Sequence, residues 1–491
     1  MFGFKYYQHD ISFSEINKNI KDTDYNQMSS GKDLAKNTII IAMGKIATQM
    51  VSFFLLPLYT AVLTTEEYGV VDLVITWVQL LIPIVSCQLD QSIFRFLLDN
   101  RNDEEKKKEI LSDIMTLSFL LMFAFSIVYL FLTPFIKSKF KYIFLINLLS
   151  NVYVTLTLQI ARGLGANIVY AAGSFISAGG QVLLNIFLVL VLKLGVYGML
   201  ISMFLACTIS GIYLTIATKS YKYIQVVNLD KHRLKKYLKY SMPLVPNSMS
   251  WWMLNASDRI IILKFLNISV NGIYSAANKF SGIYTTIYNI FNLSWTEQIA
   301  LHMHDKNADV EIAKLQSTVI RFFSCAFLCL TAVIPFVFKF LVNEKFNAAY
   351  YQIPILLAGA FFSAMAGVLG AYYVAEKMTG IIAKMTTLAA VLNVIINLLF
   401  IKFIGLYAAS ISTFTAYLVV FIVRYIDVRK YFKIRIETSV ALGTMVLMLL
   451  IWFAYYSKNL LLCTLVLVIT ILYSFILNRA LLFSTIYVIK K

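Results

Sequence analysis

A stripe of polar residues runs along the apolar segment 270–299. Its members follow one another in steps of four and three residues, which places them on one face of a helix. They are Asn271, Ser275, Asn278, Gly282, Thr285, Asn289, Asn292 and Thr296. An amide without a hydrogen-bonding partner is costly in hydrocarbon, so this face must contact another helix or water. The stripe therefore indicates either a hydrogen-bonded seam between helices or one wall of a hydrated substrate cavity.

Three basic residues lie within or beside apolar segments. Lys45 lies in the run 38–60 with Gln49 one turn later on the same face, Arg259 lies deep in the run 241–265, and Lys279 lies beside the stripe. Charges inside membrane spans are rare and by default mark a transport pathway. Because arginine suits a bidentate hold on phosphate, we expect these cations to bind an anionic group in the cavity, with Gln49 adding to its polar wall. The alternative is that these basic residues form ion pairs within the protein that hold helices together.

Four acidic residues and one arginine are candidates for ion coupling or gating. Asp258 directly precedes Arg259, and adjacent residues on a helix point about 100° apart, so this pair does not simply neutralise itself. Asp72, Asp258 and Glu297 are candidate carriers of a coupling ion, Na⁺ or H⁺. Asp90 and Arg95, near the end of the run 69–92, form either part of an inner gate or a structural tether.

Motifs of enzymes and metal sites are missing from the sequence. It contains no P-loop and no HExxH motif, and His302 and His304 are not framed by a carboxylate–histidine motif on a helix. The five cysteines lie mostly in apolar runs without metal or redox spacing, as packing residues do. The sequence therefore predicts no catalytic residue, no metal site and no cofactor other than a coupling ion.

The composition shows that these residues act in a membrane. Of the 491 residues, 59% are hydrophobic and 14% are charged, against roughly 25% charged in soluble domains. Apolar runs of roughly 20 residues are typical of membrane helices. They fall near 38–60, 69–92, 111–134, 141–161, 168–192, 196–218, 241–265, 270–299, 317–341, 351–374, 380–402, 405–426, 438–456 and 459–478.

The net charge of +18 follows from membrane topology. In a soluble protein such a charge would suggest nucleic acid as a partner. Here most of the 43 Lys and Arg residues fall between runs on the side of the N-terminus, which the positive-inside rule assigns to the cytoplasm. We expect both termini in the cytoplasm and no nucleic-acid partner.

The fold expected from these runs is an all-α integral membrane protein of about 14 transmembrane helices. A cytoplasmic tail (1–36) precedes an N-lobe of six helices (37–218), a basic cytoplasmic linker (219–240), a C-lobe of six helices (241–428) and a C-terminal end with two extra helices (429–491). The sequence YGVV at 68–71 matches NGIY at 271–274 at an offset of 203. Asn397, which shares a weaker polar stripe with Asn393, has a counterpart in the first half at Asn185, at an offset of 212. The two lobes are therefore predicted to be related by a parallel repeat, with a cavity between them.

Five short motifs resemble one family of transporters. They are LPLYT at 56–60, EEYG at 66–69 and DQSIFRF at 90–96 in the first half, and DRII at 258–261 and GIYSAANK at 272–279 in the second. Together with the helix layout over roughly 37–478, they resemble the polysaccharide transporter family. This family contains the O-antigen and capsule (Wzx-type) flippases of the multidrug/oligosaccharidyl-lipid/polysaccharide exporter superfamily.

The resemblance implies a multi-pass protein of the bacterial cytoplasmic (inner) membrane. It would move undecaprenyl-pyrophosphate-linked oligosaccharide repeat units from the cytoplasmic to the outer leaflet by alternating access of the two lobes. Sugars and pyrophosphate would cross through the cavity while the lipid tail stays in the bilayer. Membrane lipids and the polysaccharide polymerase and glycosyltransferases of the same pathway would be its partners.

Other functions make different predictions. A drug or small-molecule antiporter of the same superfamily predicts an acidic, aromatic cavity, and a sugar transporter of the major facilitator type predicts a glycine- and arginine-rich loop near 99–109. A membrane glycosyltransferase or polymerase needs a large loop outside the membrane, whereas no loop between the runs is long enough for a catalytic domain. An inert scaffold leaves the duplicated polar helices unexplained.

Overall fold

The computed structural model describes residues 55–223, 230–303, 308–376, 378–432, 434 and 437–489. Every regular element in these segments is a helix, as predicted. The α-helices are α1 (Leu56–Val62), α2 (Thr65–Val85), α3 (Leu89–Asp99), α4 (Glu104–Leu132), α5 (Lys141–Gly163), α6 (Asn167–Asn185), α7 (Gly195–Ala217), α8 (Lys231–Ser241), α9 (Leu244–Phe265), α10 (Ile268–His302), α11 (Ala308–Leu341), α12 (Ile353–Ala375), α13 (Thr379–Ile404), α14 (Leu406–Val428), α15 (Thr438–Ser457) and α16 (Leu460–Ile489).

Eleven of the described helices are long and apolar enough to cross a membrane, which makes this a multi-pass membrane protein. They are α2, α4 to α7 and α11 to α16, some extended by a short 3₁₀ or π segment. Helices α9 and α10 have 22 and 35 residues, long enough to span, but their polar residues keep them out of this set. The predicted span 38–60 lies mostly outside the described residues, so the count of 14 stays a prediction.

The prediction of one continuous helix over 69–92 is wrong. Helix α2 ends at Val85, and α3 begins at Leu89. Between them Cys87 and Gln88 have left-handed backbone angles, with φ of 48° and 55°, which redirect the chain. The sequence SCQLDQS at 86–92 is rich in polar residues, so the break had a local signal that the predicted run passed over.

Part of the predicted linker 219–240 forms the short basic helix α8. Its residues Leu234, Tyr237 and Leu238 pack onto a hydrophobic cluster that also contains residues of α3 and α4. Arg233 Nε donates to Asp113 Oδ2 at 2.6 Å and so ties α8 to α4. The linker is therefore attached to the first half of the chain by both apolar packing and an ion pair.

Helices α2 and α10 begin with matching N-terminal caps. Thr64 Oγ1 accepts from the backbone N–H of Glu67 while the Glu67 carboxylate accepts from the backbone N–H of Thr64. In α10 the side chain of Asn267 accepts from the backbone N–H of Val270 at 2.9 Å. Caps of this kind satisfy backbone donors that helix starts leave free, so they fix where both helices begin.

The two helices cross at a pair of glycines. A β-carbon on Gly69 would lie 2.1 Å from the carbonyl oxygen of Ile268, and one on Gly272 would lie 2.0 Å from that of Thr65. Only glycine permits this backbone approach. The second contact is the first with each residue replaced by its equivalent at an offset of 203, Gly69 by Gly272 and Ile268 by Thr65, as a two-fold relation between the halves would produce. The lobe boundaries themselves stay predictions.

Candidate substrate cavity and ion sites

A cavity of about 560 Å³ lies among α2, α9, α10, α12 and α14. Helix α2 comes from the first half of the chain and the other four from the second. Most of the lining side chains are polar or aromatic, and the polar and charged ones include Gln79, Asp258, Arg259, Asn278, Asn289 and Thr413. Hydroxyl, amide and charged groups of this kind bind polar molecules by hydrogen bonding.

The polar stripe on α10 divides into two parts. Asn278, Gly282, Thr285 and Asn289 line the cavity. Asn271 and Ser275, nearer the start of the helix, instead donate hydrogen bonds to Asp72. At the far end Asn292 Oδ1 accepts from the hydroxyl of Tyr288 at 2.8 Å. The stripe is thus a helix seam at its start and a cavity wall in its middle.

Arg259 and Asp72 form an ion pair between α9 and α2. Arg259 Nε donates to Asp72 Oδ2 at 2.8 Å, and both side chains are largely buried. Ser275 Oγ and Asn271 Nδ2 also donate to this carboxylate, at 2.6 and 3.2 Å. Arg259 lines the cavity, but its charge is compensated by Asp72. Lys279 lies close enough to both for electrostatic interaction and is outside the cavity lining.

Asp258 accepts its hydrogen bonds from a cluster of neutral donors. It is 4% exposed. Tyr274 Oη and Thr413 Oγ1 donate to Oδ2 at 2.8 and 2.7 Å, and Asn397 Nδ2 donates to Oδ1 at 2.9 Å. The amide nitrogen of Asn393, in the orientation that satisfies its neighbours, donates to Oδ1 at 3.1 Å. A buried carboxylate held by neutral groups is suited to bind a proton or a small cation.

The remaining predicted site residues are not brought together. Asp90 is buried at the start of α3 and accepts from Gln91 Nε2 at 2.6 Å. Arg95 forms an exposed pair with Asp99, not with Asp90. Glu297 is exposed on α10. Lys45 and Gln49 lie outside the described residues.

Sequence reasoning missed several residues of the site. Tyr274 and Thr413 bind Asp258, and Trp252 and Gln79 line the cavity. Trp252, Tyr274 and Thr413 are ordinary residues of membrane helices, and Gln79 is the single amide of α2, so no stripe of amides pointed to them. Asn393 and Asn397 were detectable as a weak polar stripe, but their partner was not.

Comparisons with known proteins agree with this fold. The family described as "Polysaccharide biosynthesis protein" matches residues 34–295, more than half of the chain. The uncharacterized membrane protein MJ1375 of Methanocaldococcus jannaschii is 25% identical over 426 residues, covering 79% of this chain and 96% of that protein.

Two solved structures share the fold. The lipid II flippase MurJ, in an inward closed conformation, aligns with a TM-score of 0.69 at 16% identity over 91% of this chain and 100% of its own. An inward-facing multidrug resistance MATE family transporter of the MOP superfamily aligns with a TM-score of 0.58 at 13% identity over 79% and 97%. The prediction of an all-α, multi-pass membrane fold is confirmed. The chain belongs to the polysaccharide biosynthesis protein family, and its fold is similar to the folds of MurJ and of a MATE family transporter.

Proposed function

We propose that this protein is a flippase for undecaprenyl-pyrophosphate-linked oligosaccharide repeat units of O-antigen or capsular polysaccharide. The observation that carries the proposal is the polar cavity of about 560 Å³ inside an apolar helix bundle. A sugar-pyrophosphate headgroup cannot cross hydrocarbon unaided, because its hydroxyls and charges need hydrogen-bonding partners. The fold shared with the lipid II flippase MurJ supports this substrate class.

The direction of transport is from the cytoplasmic to the outer leaflet of the bacterial inner membrane. With both termini in the cytoplasm, the ends at which α2 and α10 begin lie on the outer side. The Gly69–Gly272 crossing and the Asp72–Arg259 pair then close the cavity toward the outside. In alternating access these contacts separate as the lobes rock, while the lipid tail stays in the bilayer.

Coupling to Na⁺ or H⁺ at Asp258 would drive the cycle. The carboxylate lines the same cavity as the substrate and has neutral hydrogen-bonding partners, so it can take up a cation without first breaking an ion pair. The polysaccharide polymerase and glycosyltransferases of the pathway would supply and consume the lipid-linked substrate.

Deletion of the gene tests the proposed function. We expect a complete lipid-linked repeat unit to accumulate on the cytoplasmic face of the membrane, with loss of surface polysaccharide. Extraction of undecaprenyl-linked lipids and a leaflet-accessibility assay measure both. Normal lipid-linked intermediates with normal surface polymer would contradict the flippase and favour a small-molecule exporter, which an efflux assay would then detect.

The Asp72–Arg259 pair is expected to show strong coupling in a double-mutant cycle. Arg259→Ala leaves a buried carboxylate uncompensated, which typically costs roughly 3–5 kcal/mol. Asp72→Ala/Arg259→Ala removes both charges and should be more stable than either single variant. Thermal unfolding of the purified proteins measures this. As a control for stability, Arg95→Ala removes an exposed pair, its side chains 50% and 49% exposed, and should change little.

A flipping assay tests whether the three predicted basic residues take part in transport. Lys45→Ala, Arg259→Ala and Lys279→Ala are each expected to reduce flipping while the protein still inserts into the membrane. Arg259 lines the cavity, Lys279 interacts electrostatically with the Asp72–Arg259 pair, and Lys45 is the further cation that the sequence predicts for the cavity. Wild-type export by all three variants would reject the role of these cations in substrate binding.

A further inference from the structure

A second arginine, Arg424, is buried in the bundle beyond the cavity. It lies near the end of the predicted run 405–426, and the structure places it within α14 at 7% exposure. Its Nη1 donates to the carbonyl oxygen of Ala366 at 2.7 Å, and its Nε is buried without a hydrogen-bonding partner. No carboxylate forms an ion pair with it in the described part of the chain. Arg424 therefore differs from Arg259, whose charge Asp72 compensates.

Two glycines of the neighbouring helix α12 leave space for the guanidinium of Arg424 and for a tyrosine hydroxyl. A β-carbon on Gly370 of α12 would lie 2.9 Å from Arg424 Nη1, and one on Gly367 would lie 2.0 Å from the hydroxyl of Tyr288. The phenol groups of Tyr288 and Tyr373 lie close enough to the guanidinium for electrostatic interaction. Two glycines one turn apart thus admit polar groups from α14 and α10 into an otherwise apolar helix contact.

Arg424 lies beyond the residues that line the cavity, in the direction in which α14 continues. On α14 it lies seven residues after the cavity-lining Tyr417, which is two turns, about 10 Å, along the same face. On α10 Asn292 stands seven residues after the cavity-lining Thr285. With the proposed topology, both helices run from the outer to the cytoplasmic side, so Arg424 and Asn292 lie at the cytoplasmic end of the cavity.

We propose that Arg424 binds a phosphate group of a lipid headgroup at this end of the cavity, as an entry contact for the diphosphate of the transported lipid. A buried guanidinium without a carboxylate is costly unless an anion joins it, and its planar donors match phosphate oxygens. The substrate's diphosphate and the phosphate of a membrane phospholipid share this chemistry. The choice of the diphosphate rests on the proposed function.

Binding of defined lipids to the purified full-length protein tests the proposal. In a phosphate-free glycoside detergent, native mass spectrometry compares undecaprenyl diphosphate, undecaprenol and phosphatidylglycerol. We expect wild type to bind the diphosphate at least about tenfold more tightly than the alcohol, and Arg424→Gln to lose this preference. Arg429→Gln, which removes an exposed arginine near the end of the same helix, is the matched control and should keep it.

Two further variants separate phosphate binding from a structural role. Arg424→Lys keeps the charge and should retain part of the preference. Gly370→Ala keeps Arg424 but displaces its guanidinium, and should weaken diphosphate binding several-fold while thermal stability stays near wild type. Both remain informative if Arg424→Gln fails to fold.

The outcomes distinguish the two phosphate sources and the two proposals. Unchanged preference for both phosphorylated lipids in Arg424→Gln would overturn the site. Loss of phosphatidylglycerol binding alone would support a phosphate site and overturn its assignment to the substrate. If wild type binds the diphosphate through Arg424 but deletion leaves lipid-linked intermediates normal, the site stands and the proposed function fails.

Discussion

Asp258→Asn is expected to abolish the response of transport to an ion gradient. Asparagine has nearly the same size and can still accept from Tyr274 and Thr413, but it carries no charge and takes up no proton in this pH range. Replacing a residue that only supports the ligands of a metal ion typically lowers the ion affinity by about 10–100-fold. We therefore expect loss of ion-stimulated flipping by at least about 100-fold, with normal membrane insertion.

Reconstituted vesicles with an imposed Na⁺ or pH gradient measure this effect and identify the ion. Thr413→Val removes one neutral ligand without changing the charge and should give an intermediate loss. Asp99→Asn, which alters an exposed carboxylate on α3, is the control for charge removal. A variant Asp258→Asn that responds to both gradients as wild type does would exclude Asp258 as the coupling site.

Gly69→Val and Gly272→Val are expected to prevent closure between α2 and α10. Each adds a side chain where the β-carbon alone would lie about 2 Å from a backbone oxygen of the other helix, and overpacking of this kind typically costs 1–3 kcal/mol. Asp72 lies one turn after Gly69, so separation of the helices also strains the Asp72–Arg259 pair. Since about 1.4 kcal/mol changes a conformational ratio tenfold, we expect flipping to fall by roughly tenfold or more.

Thiol labelling detects the opened state directly. Ser275→Cys places a nearly isosteric thiol at a residue that is buried one turn beyond the crossing, in a background in which the five native cysteines are replaced. A water-soluble maleimide should label it from the outer side much faster when Gly69→Val is present. Gly380→Ala, where an added β-carbon meets no atom within 4 Å, should leave labelling and transport unchanged. Equal labelling with and without Gly69→Val would contradict the closure role of this crossing.

The two buried aspartates of the site are stabilised in different ways. Asp72 accepts hydrogen bonds from an arginine of another helix and from two further donors, so its charge is compensated within the contact between the helices. Asp258 has neutral donors only and lies on the cavity. We therefore expect Asp72 to hold the closed contact between the helices and Asp258 to bind the coupling ion, although the sequence suggested both as ion carriers.

Much of the helix layout was predictable because hydrophobic length is a local property of the chain. The runs predicted at 141–161 and 405–426 correspond to helices Lys141–Gly163 and Leu406–Val428. The equivalence of Gly69 and Gly272 was visible as a repeat, and the spacing along α10 correctly grouped its polar residues on one face. The break after Val85 had a local signal in the polar residues of SCQLDQS at 86–92, but the predicted run was extended across them.

The sequence by itself determined the membrane class, the helices, the family resemblance and the polar face of α10. Only the tertiary structure decided which polar groups meet. Arg259 and Asp72 lie 187 residues apart in the chain, and Thr413 and Asp258 lie 155 apart. Arg424 lies within the predicted run 405–426, but its local sequence does not show that its guanidinium is buried against α12. Periodicity specifies the direction in which a side chain leaves its own helix, whereas its partner depends on how separate helices pack, and a single sequence carries no local signal of that packing.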